Sequence, residues 1–292
     1  MQTRSFRAMG TDVEILLDAP ASAETRDALT FASLRIAAIE ERLSRFRSDS
    51  ELSTLNRAGH ARVGDDLLAV TLMAVAARTD TGGRFDPTVH RAVIAAGYDR
   101  SFDELPADRP VDDADAPRAC GGAVTVDPAA CTVTLEPGTE LDLGGIAKGY
   151  TAEVVAEGLR ALGPCLVNVG GDIATRGVPE EGVWSVGVQT ADATVAIGIA
   201  GGGLATSGRD RRIWHVVGEE RHHVIDPATA RTARTDVLRV TVVAETAVQA
   251  ETLATALFLS GAEEAVREAA RRNVTAIVVT DDGRTLMTED LT

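Results

Sequence analysis

The sequence predicts an α+β fold of mainly antiparallel strands with packed helices, and three observations carry that reading. Strand-like runs at 183–188, 194–199, 213–217 and 222–225 follow one another closely, which favours antiparallel pairing over crossover connections. Apolar residues recur at helical spacing in 22–45 and 65–79. At the end of the chain, a strand at 237–244, helices at 246–260 and 262–272 and a strand at 274–280 follow in turn.

The elements justify themselves in order. Residues 3–17 alternate as a strand pair or a bent strand, broken at Met9-Gly10-Thr11. The helix over 22–45 marks its buried side with Leu29, Leu34, Ile36, Ile39 and Leu43. The next, over 65–79, places Leu68, Leu72 and Val75 on one face, and a turn-rich stretch runs from Thr81 to Pro87. Segment 99–118 is rich in Asp, Pro and Arg and reads as an exposed excursion with few core-forming residues. Runs 123–126 and 131–135 flank Asp-Pro-Ala-Ala as a hairpin, and Leu141-Asp142-Leu143-Gly144-Gly145 leads into a helix near 146–162. Cys165 to Val169 is a short apolar strand ending in Gly170-Gly171-Asp172.

With 292 residues, 45% hydrophobic and 25% charged, the chain has a globular composition. The length allows one elaborate domain or two smaller ones; the reading adopted is a single domain over 1–292, with two interleaved subdomains as its variant. A net charge of −15 disfavours nucleic acid and anionic membrane surfaces as partners. Three cysteines without a C-x-x-C pair suggest neither a disulfide framework nor a zinc site. The charged N-terminal stretch lacks an export signal and no apolar run approaches the roughly 20 residues of a membrane span, so a cytoplasmic location is expected.

Several glycine turns sit beside polar residues, which lets backbone N–H groups approach a phosphate. In Asp142-Leu-Gly-Gly-Ile-Ala-Lys148-Gly149 a helix start and a lysine suit an anion, outside the P-loop pattern. Ala205-Thr-Ser-Gly-Arg-Asp-Arg-Arg212 concentrates positive charge in an acidic chain. Arg221-His222-His223-Val-Ile-Asp226 turns one histidine inward if it is a strand, as a base, a ligand contact or a structural group. Glu251 and Thr255, at i and i+4, share a helix face, and a carboxylate with a hydroxyl suits Mg²⁺.

In this order the segments resemble the ApbE family of FAD:protein FMN transferases, almost end to end. The matching motifs are Met9-Gly-Thr11, Ser44-Arg-Phe46 with Ser50-Glu-Leu52 and Leu55-Asn56, Gly83-Arg-Phe-Asp86-Pro-Thr-Val89, and Asp142 to Gly149. They continue with Asn168-Val-Gly-Gly-Asp172, Ala205-Thr-Ser-Gly208, His223-Val-Ile-Asp-Pro227 and Ala250-Glu-Thr-Leu-Ala-Thr-Ala256. The resemblance implies a T-fold-like α+β chain with an FAD cleft, Mg²⁺ at the diphosphate, transfer of FMN to a Thr or Ser of an acceptor flavoprotein, and release of AMP. By motif position, Met9, Asp142, Lys148, Ser207, His223 and Ile225 would line the flavin nucleotide, while Gly145 through its carbonyl, Glu251 and Thr255 would hold the metal. His223 or Asp226 would serve as base for the acceptor hydroxyl.

Two departures from the family pattern stand out: Glu251 replaces the usual Asp, and Ala230 replaces a usual Gly after Asp-Pro-x-Thr. The longer Glu arm shifts the carboxylate by about 1.5 Å, which bears on the strict geometry of Mg²⁺. One alternative, should this departure disable the metal site, is a non-catalytic FAD binder; another, which shares every residue with the transferase, is an FAD diphosphatase giving FMN and AMP.

Overall fold

A computed structural model describes residues 1–106, 108–109 and 119–289. In chain order its elements begin β1 (Gln2–Ala8), β2 (Thr11–Leu17), α1 (Ala23–Leu43), α2 (Glu51–Ala58), β3 (His60–Arg62), α3 (Asp65–Asp80), α4 (His90–Ala95) and β4 (Asp108–Arg109). Next come β5 (Val124–Asp127), β6 (Thr132–Leu135), α5 (Ala147–Leu159), β7 (Cys165–Val169), β8 (Asp172–Arg176), β9 (Trp184–Gln189) and β10 (Thr194–Ile199). The chain continues through β11 (Gly202–Gly208), β12 (Ile213–Val216), β13 (Glu219–His222), β14 (Ile225–Asp226) and β15 (Arg231–Thr232). It closes with β16 (Val237–Ala244), α6 (Ala247–Phe258), α7 (Ala262–Arg271), β17 (Thr275–Thr280) and β18 (Thr285–Met287). This mixture of helices and antiparallel strands is the predicted α+β class, and the chain folds into two compact units.

The first unit contains Met1–Glu40, Ile146–Ser207 and the chain from Asp236 onward. Its sheet runs β1-β2-β7-β8-β11-β16-β17-β18. The pairs β1–β2, β2–β7, β7–β8, β8–β11, β16–β17 and β17–β18 are antiparallel. The predicted break at Met9-Gly10 is the two-residue loop of the first hairpin, with φ of 54° and 66° at its centre, as a mirror-image turn matched to strand twist requires. Alternation along β7 sends Cys165, Val167 and Val169 to one face, where they meet Leu29, Ala32 and Ile36 of α1 and Ala152, Val155, Ala156 and Leu159 of α5. Leu166 points to the other face, under Trp184, Val188, Ile197 and Ile199 of the β9–β10 hairpin. Both faces are thus covered, which is why this strand reads as a nearly unbroken apolar run.

The second unit contains Glu41–Gly145 and Gly208–Thr235. It holds the antiparallel sheet β3-β6-β5, a sheet β13-β12-β4 in which β4 runs parallel to β12, and the pair β14–β15. Ala92, Val93, Tyr98, Trp214, Ile225 and Ala230 form a core cluster, on which Phe102, Leu105 and Cys120 also pack.

The structure corrects several local readings. Leu34 is 64% exposed, because the core stripe of α1 runs through Leu29, Ala32, Ile36, Ile39 and Leu43. Leu72 is 39% exposed: α3 is apolar around most of its circumference, and the face it buries is Asp66, Leu67, Val70, Thr71 and Ala74. The excursion at 99–118 does contribute to a core, through Phe102 and Leu105, and β4 within it pairs with β12; residues 107 and 110–118 lie outside the described residues. Strands β3, β4, β8, β11, β15 and β18 and helices α2 and α4 are additional to the elements read from the sequence, and the run read at 222–225 is divided between the end of β13 and the start of β14. Among the described residues no helix is long and apolar enough to cross a membrane.

Candidate active site

In the first unit, α5 presents Lys148 in its first turn, and the lysine ammonium is held by Asp172 at the start of β8 and by Glu251 Oε1 at 2.8 Å. The other oxygen of Glu251, Oε2, accepts the Gly149 amide N–H at 2.8 Å. Asp172 and Glu251 are 2% and 3% exposed. Burial opposes the charge on Lys148, yet the two carboxylates outweigh it and raise the lysine pKa. Burial pushes Glu251 up to about 8, with Asp172 adding to the shift and Lys148 and the Gly149 amide opposing it. One turn along α6, the Thr255 hydroxyl lies 3.2 Å from the Glu251 carbonyl and 3.0 Å from Ser207 Oγ. The structure therefore gathers Lys148, Ser207, Glu251 and Thr255, and adds Asp172.

Small residues make this gathering possible. A Cβ on Gly149 would come within 2.7 Å of the Ala247 carbonyl oxygen, and one on Gly203 within 2.2 Å of the Ala247 nitrogen, so the start of α6 is set by two side-chain-free contacts. Thr246 caps the helix by accepting from Gln249 N–H, and Glu153 accepts the Ala247 amide. Met9 sits apart from these residues in chain order, in the β1–β2 turn, partly buried against the core.

In the second unit, Asp142 accepts from the Gly144 amide at 2.7 Å and pairs with Arg45 Nε at 3.0 Å. Arg45 donates to the Tyr98 carbonyl at 2.7 Å, and its guanidinium lies 4.1 Å from the Phe46 ring centroid and 4.4 Å from that of Tyr98. Asn56 grips Leu141 from both sides of its amide, donating at 2.9 Å and accepting at 2.8 Å. The Ser-Arg-Phe and Leu-Asn motifs thus fix the Asp142 loop. Asp86 accepts from the Thr88 amide and hydroxyl and pairs with Arg78, which donates to the carbonyls of Gly121 and Gly122. That motif is structural. Gly145 closes this unit, one residue before the N-cap of α5.

Of the two histidines, His222 faces inward, 4% exposed, with Nε2 3.0 Å from the Ala233 carbonyl, while His223 is half-buried between β13 and β14. Asp226 is occupied with its own turn, accepting from Ala228 N–H and the Thr229 hydroxyl. The Ile225 side chain belongs to the core cluster. Ala230 takes the left-handed conformation at φ 53°, costing about 1 kcal/mol, and its buried methyl offsets roughly 0.8 kcal/mol of that.

Burial depresses the His222 pKa, with Arg209 also lowering it and the Ala233 bond and Glu220 opposing. A histidine whose pKa is lower in the folded state binds fewer protons there. Its contribution to stability is therefore complete above the ordinary value near 6.5 and is lost as the pH falls below it. His222→Gln, which keeps a donor for Ala233, is expected to flatten the fall in melting temperature between pH 7 and 5; an unchanged slope would show that His222 is not buried neutral.

Among the described residues no three or more His, Cys, Asp or Glu form a metal-holding group. A cation here would rest on the Glu251 carboxylate with hydroxyl and carbonyl oxygens, a hard-oxygen set that suits Mg²⁺. Each Glu251 oxygen has a second lone pair beyond the one used by Lys148 or Gly149, so the residues fit such an ion. Asp172 and Arg45 were not singled out from the sequence. Asp172 had one signal, a carboxylate directly after the Gly170-Gly171 turn; Arg45 had only its place inside Ser-Arg-Phe.

Comparison with known proteins identifies the family. A family model described as the ApbE family matches residues 9–278. The FAD:protein FMN transferase of Vibrio cholerae is 31% identical over 292 residues, covering 94% of this chain and 86% of the relative. The ApbE protein of Thermotoga maritima superposes with a TM-score of 0.87 at 25% identity, covering 99% of this chain and 97% of that one. The flavin transferase ApbE of Vibrio cholerae does so with a TM-score of 0.81 at 26% identity, covering 99% and 97%. With the motifs in sequence order, the fold matched nearly end to end and the family model spanning most of its length, this chain belongs to the ApbE family.

Proposed function

We propose that this chain is a Mg²⁺-dependent FAD:protein FMN transferase that esterifies FMN to a Thr or Ser hydroxyl of an acceptor flavoprotein and releases AMP. The observation that carries this reading is the assembly of Lys148, Thr255 and Ser207 around the buried Glu251 in the first unit. Its lysine is kept cationic by the carboxylates around it, as a group facing a diphosphate must be.

In the reaction the acceptor oxygen forms a bond to the FMN phosphorus, the bond from that phosphorus to the bridging oxygen breaks, and AMP leaves with the electron pair. Such a displacement needs charge neutralisation and an oriented nucleophile more than covalent catalysis. When bound, Mg²⁺ supplies neutralisation at the diphosphate, held by Glu251, Thr255 and the Gly145 carbonyl. Met9, Asp142, Lys148, Ser207, His223 and Ile225 line the nucleotide, Ile225 through its backbone because its side chain is in the core. The Asp226 oxygens serve its own turn, which favours His223 as the group that takes the acceptor proton. The absence of a disulfide at Cys131 and Cys165 fits a reducing compartment such as the cytoplasm.

The test is to incubate the protein and FAD, with and without Mg²⁺, with an acceptor domain and its Thr→Ala variant, then weigh each chain. An FMN adduct on the Thr form alone, only with Mg²⁺, is expected. FMN and AMP without adduct would make the protein an FAD diphosphatase, and bound FAD without either product a flavin binder.

A further inference from the structure

Lys148 has two carboxylate partners carried by different elements, Asp172 on β8 and Glu251 on α6, whereas Glu251 divides its oxygens between the Lys148 ammonium and the Gly149 amide. One cation and two carboxylates leave this buried cluster with an excess acidic group. We propose that Asp172 is a positioning residue that retains Lys148 while Glu251 passes from the lysine to the divalent cation, an inference that rests on the reading of Glu251 as a metal ligand.

Three features support it. Glu251 Oε2 is anchored to the Gly149 N–H, so the carboxylate can turn about that bond and release Oε1 alone. The side chain of Asp172 is only 3% exposed and grips the ammonium from β8, an element other than the one that carries Glu251. Oε1 of Glu251 already lies 2.8 Å from the ammonium, so a cation taken by that oxygen competes with the lysine for it. Without Asp172, Lys148 would depend on Glu251 alone among these carboxylates and would hold it against the metal.

A double-mutant cycle read by calorimetry with Mn²⁺ alone, on the full chain without FAD, separates this role from simple charge attraction. Asp172→Asn is expected to weaken Mn²⁺ binding at least fivefold, and Lys148→Met to tighten it at least tenfold. In the Lys148→Met background, Asp172→Asn is expected to change affinity less than twofold, because its effect passes through the lysine. Asp172→Glu should restore part of the loss. An equal loss from Asp172→Asn in both backgrounds, no change from either single variant, or no Mn²⁺ binding in any of the four proteins would overturn the proposal. If circular dichroism shows Lys148→Met unfolded, Lys148→Gln takes its place in the cycle. The transfer assay run in parallel keeps the two readings apart: a cycle as expected with no FMN transfer by the unaltered chain overturns the function and leaves the positioning role, and the converse result does the opposite.

Discussion

Arg45→Ala is expected to lower the unfolding free energy by about 3–5 kcal/mol, the cost of leaving a buried carboxylate without its partner. The side chains of Arg45 and Asp142 are 8% and 9% exposed, so solvent cannot replace the lost guanidinium. Asp142 would keep the Gly144 amide, but the Tyr98 carbonyl would lose its donor and the Phe46 and Tyr98 rings their cation. Arg45→Lys should recover only part of the loss, because an ammonium cannot reach a carboxylate and a carbonyl while stacking flat on two rings. Urea denaturation measures the cost, and FAD affinity measured beside it should fall as well if Asp142 lines the nucleotide as proposed. A loss below about 1 kcal/mol would mean that the Asp142 loop is held by Asn56 and its own turn.

Gly149→Ala is expected to destabilise by about 1–3 kcal/mol and to abolish FMN transfer. The new methyl would lie 2.7 Å from the Ala247 carbonyl oxygen and 3.0 Å from Glu251 Oε2. Backbone on α6 must therefore retreat, and the carboxylate goes with it. Gly158→Ala is the control on the same helix: nothing lies within 4 Å of its Cβ, so the usual alanine preference should apply, stabilising by about 0.5–1 kcal/mol with activity retained. If both variants keep full transfer activity, the close approach of α5 and α6 does not set the site.

The errors of the sequence reading have distinct physical origins. Periodicity identifies a helix from the angular spread of apolar residues, but on α3, where Leu67, Leu68, Val70, Leu72, Met73 and Val75 occur within one stretch, several faces are apolar enough to be buried. Packing selected the face containing Leu67 and Val70 and left Leu72 and Met73 outside. The missed strand β11 carries glycines at 202 and 203, which weaken a strand signal while permitting the close contact with Ala247 that the fold needs.

The sequence by itself determined the fold class, the break at Met9-Gly10, the family and the candidate residues Lys148, Ser207, Glu251 and Thr255, because these depend on local pattern and on motifs kept in order. Only the tertiary structure decided that the first-hairpin reading holds over a bent strand, that Lys148 lies between Asp172 and Glu251, and that Arg45 holds Asp142. Those pairings join residues as far apart as 103 positions, and Arg45 and Asp142 nearly as far. No local propensity encodes such distances; they are fixed by which faces bury together and by the glycines that let helix backbones approach.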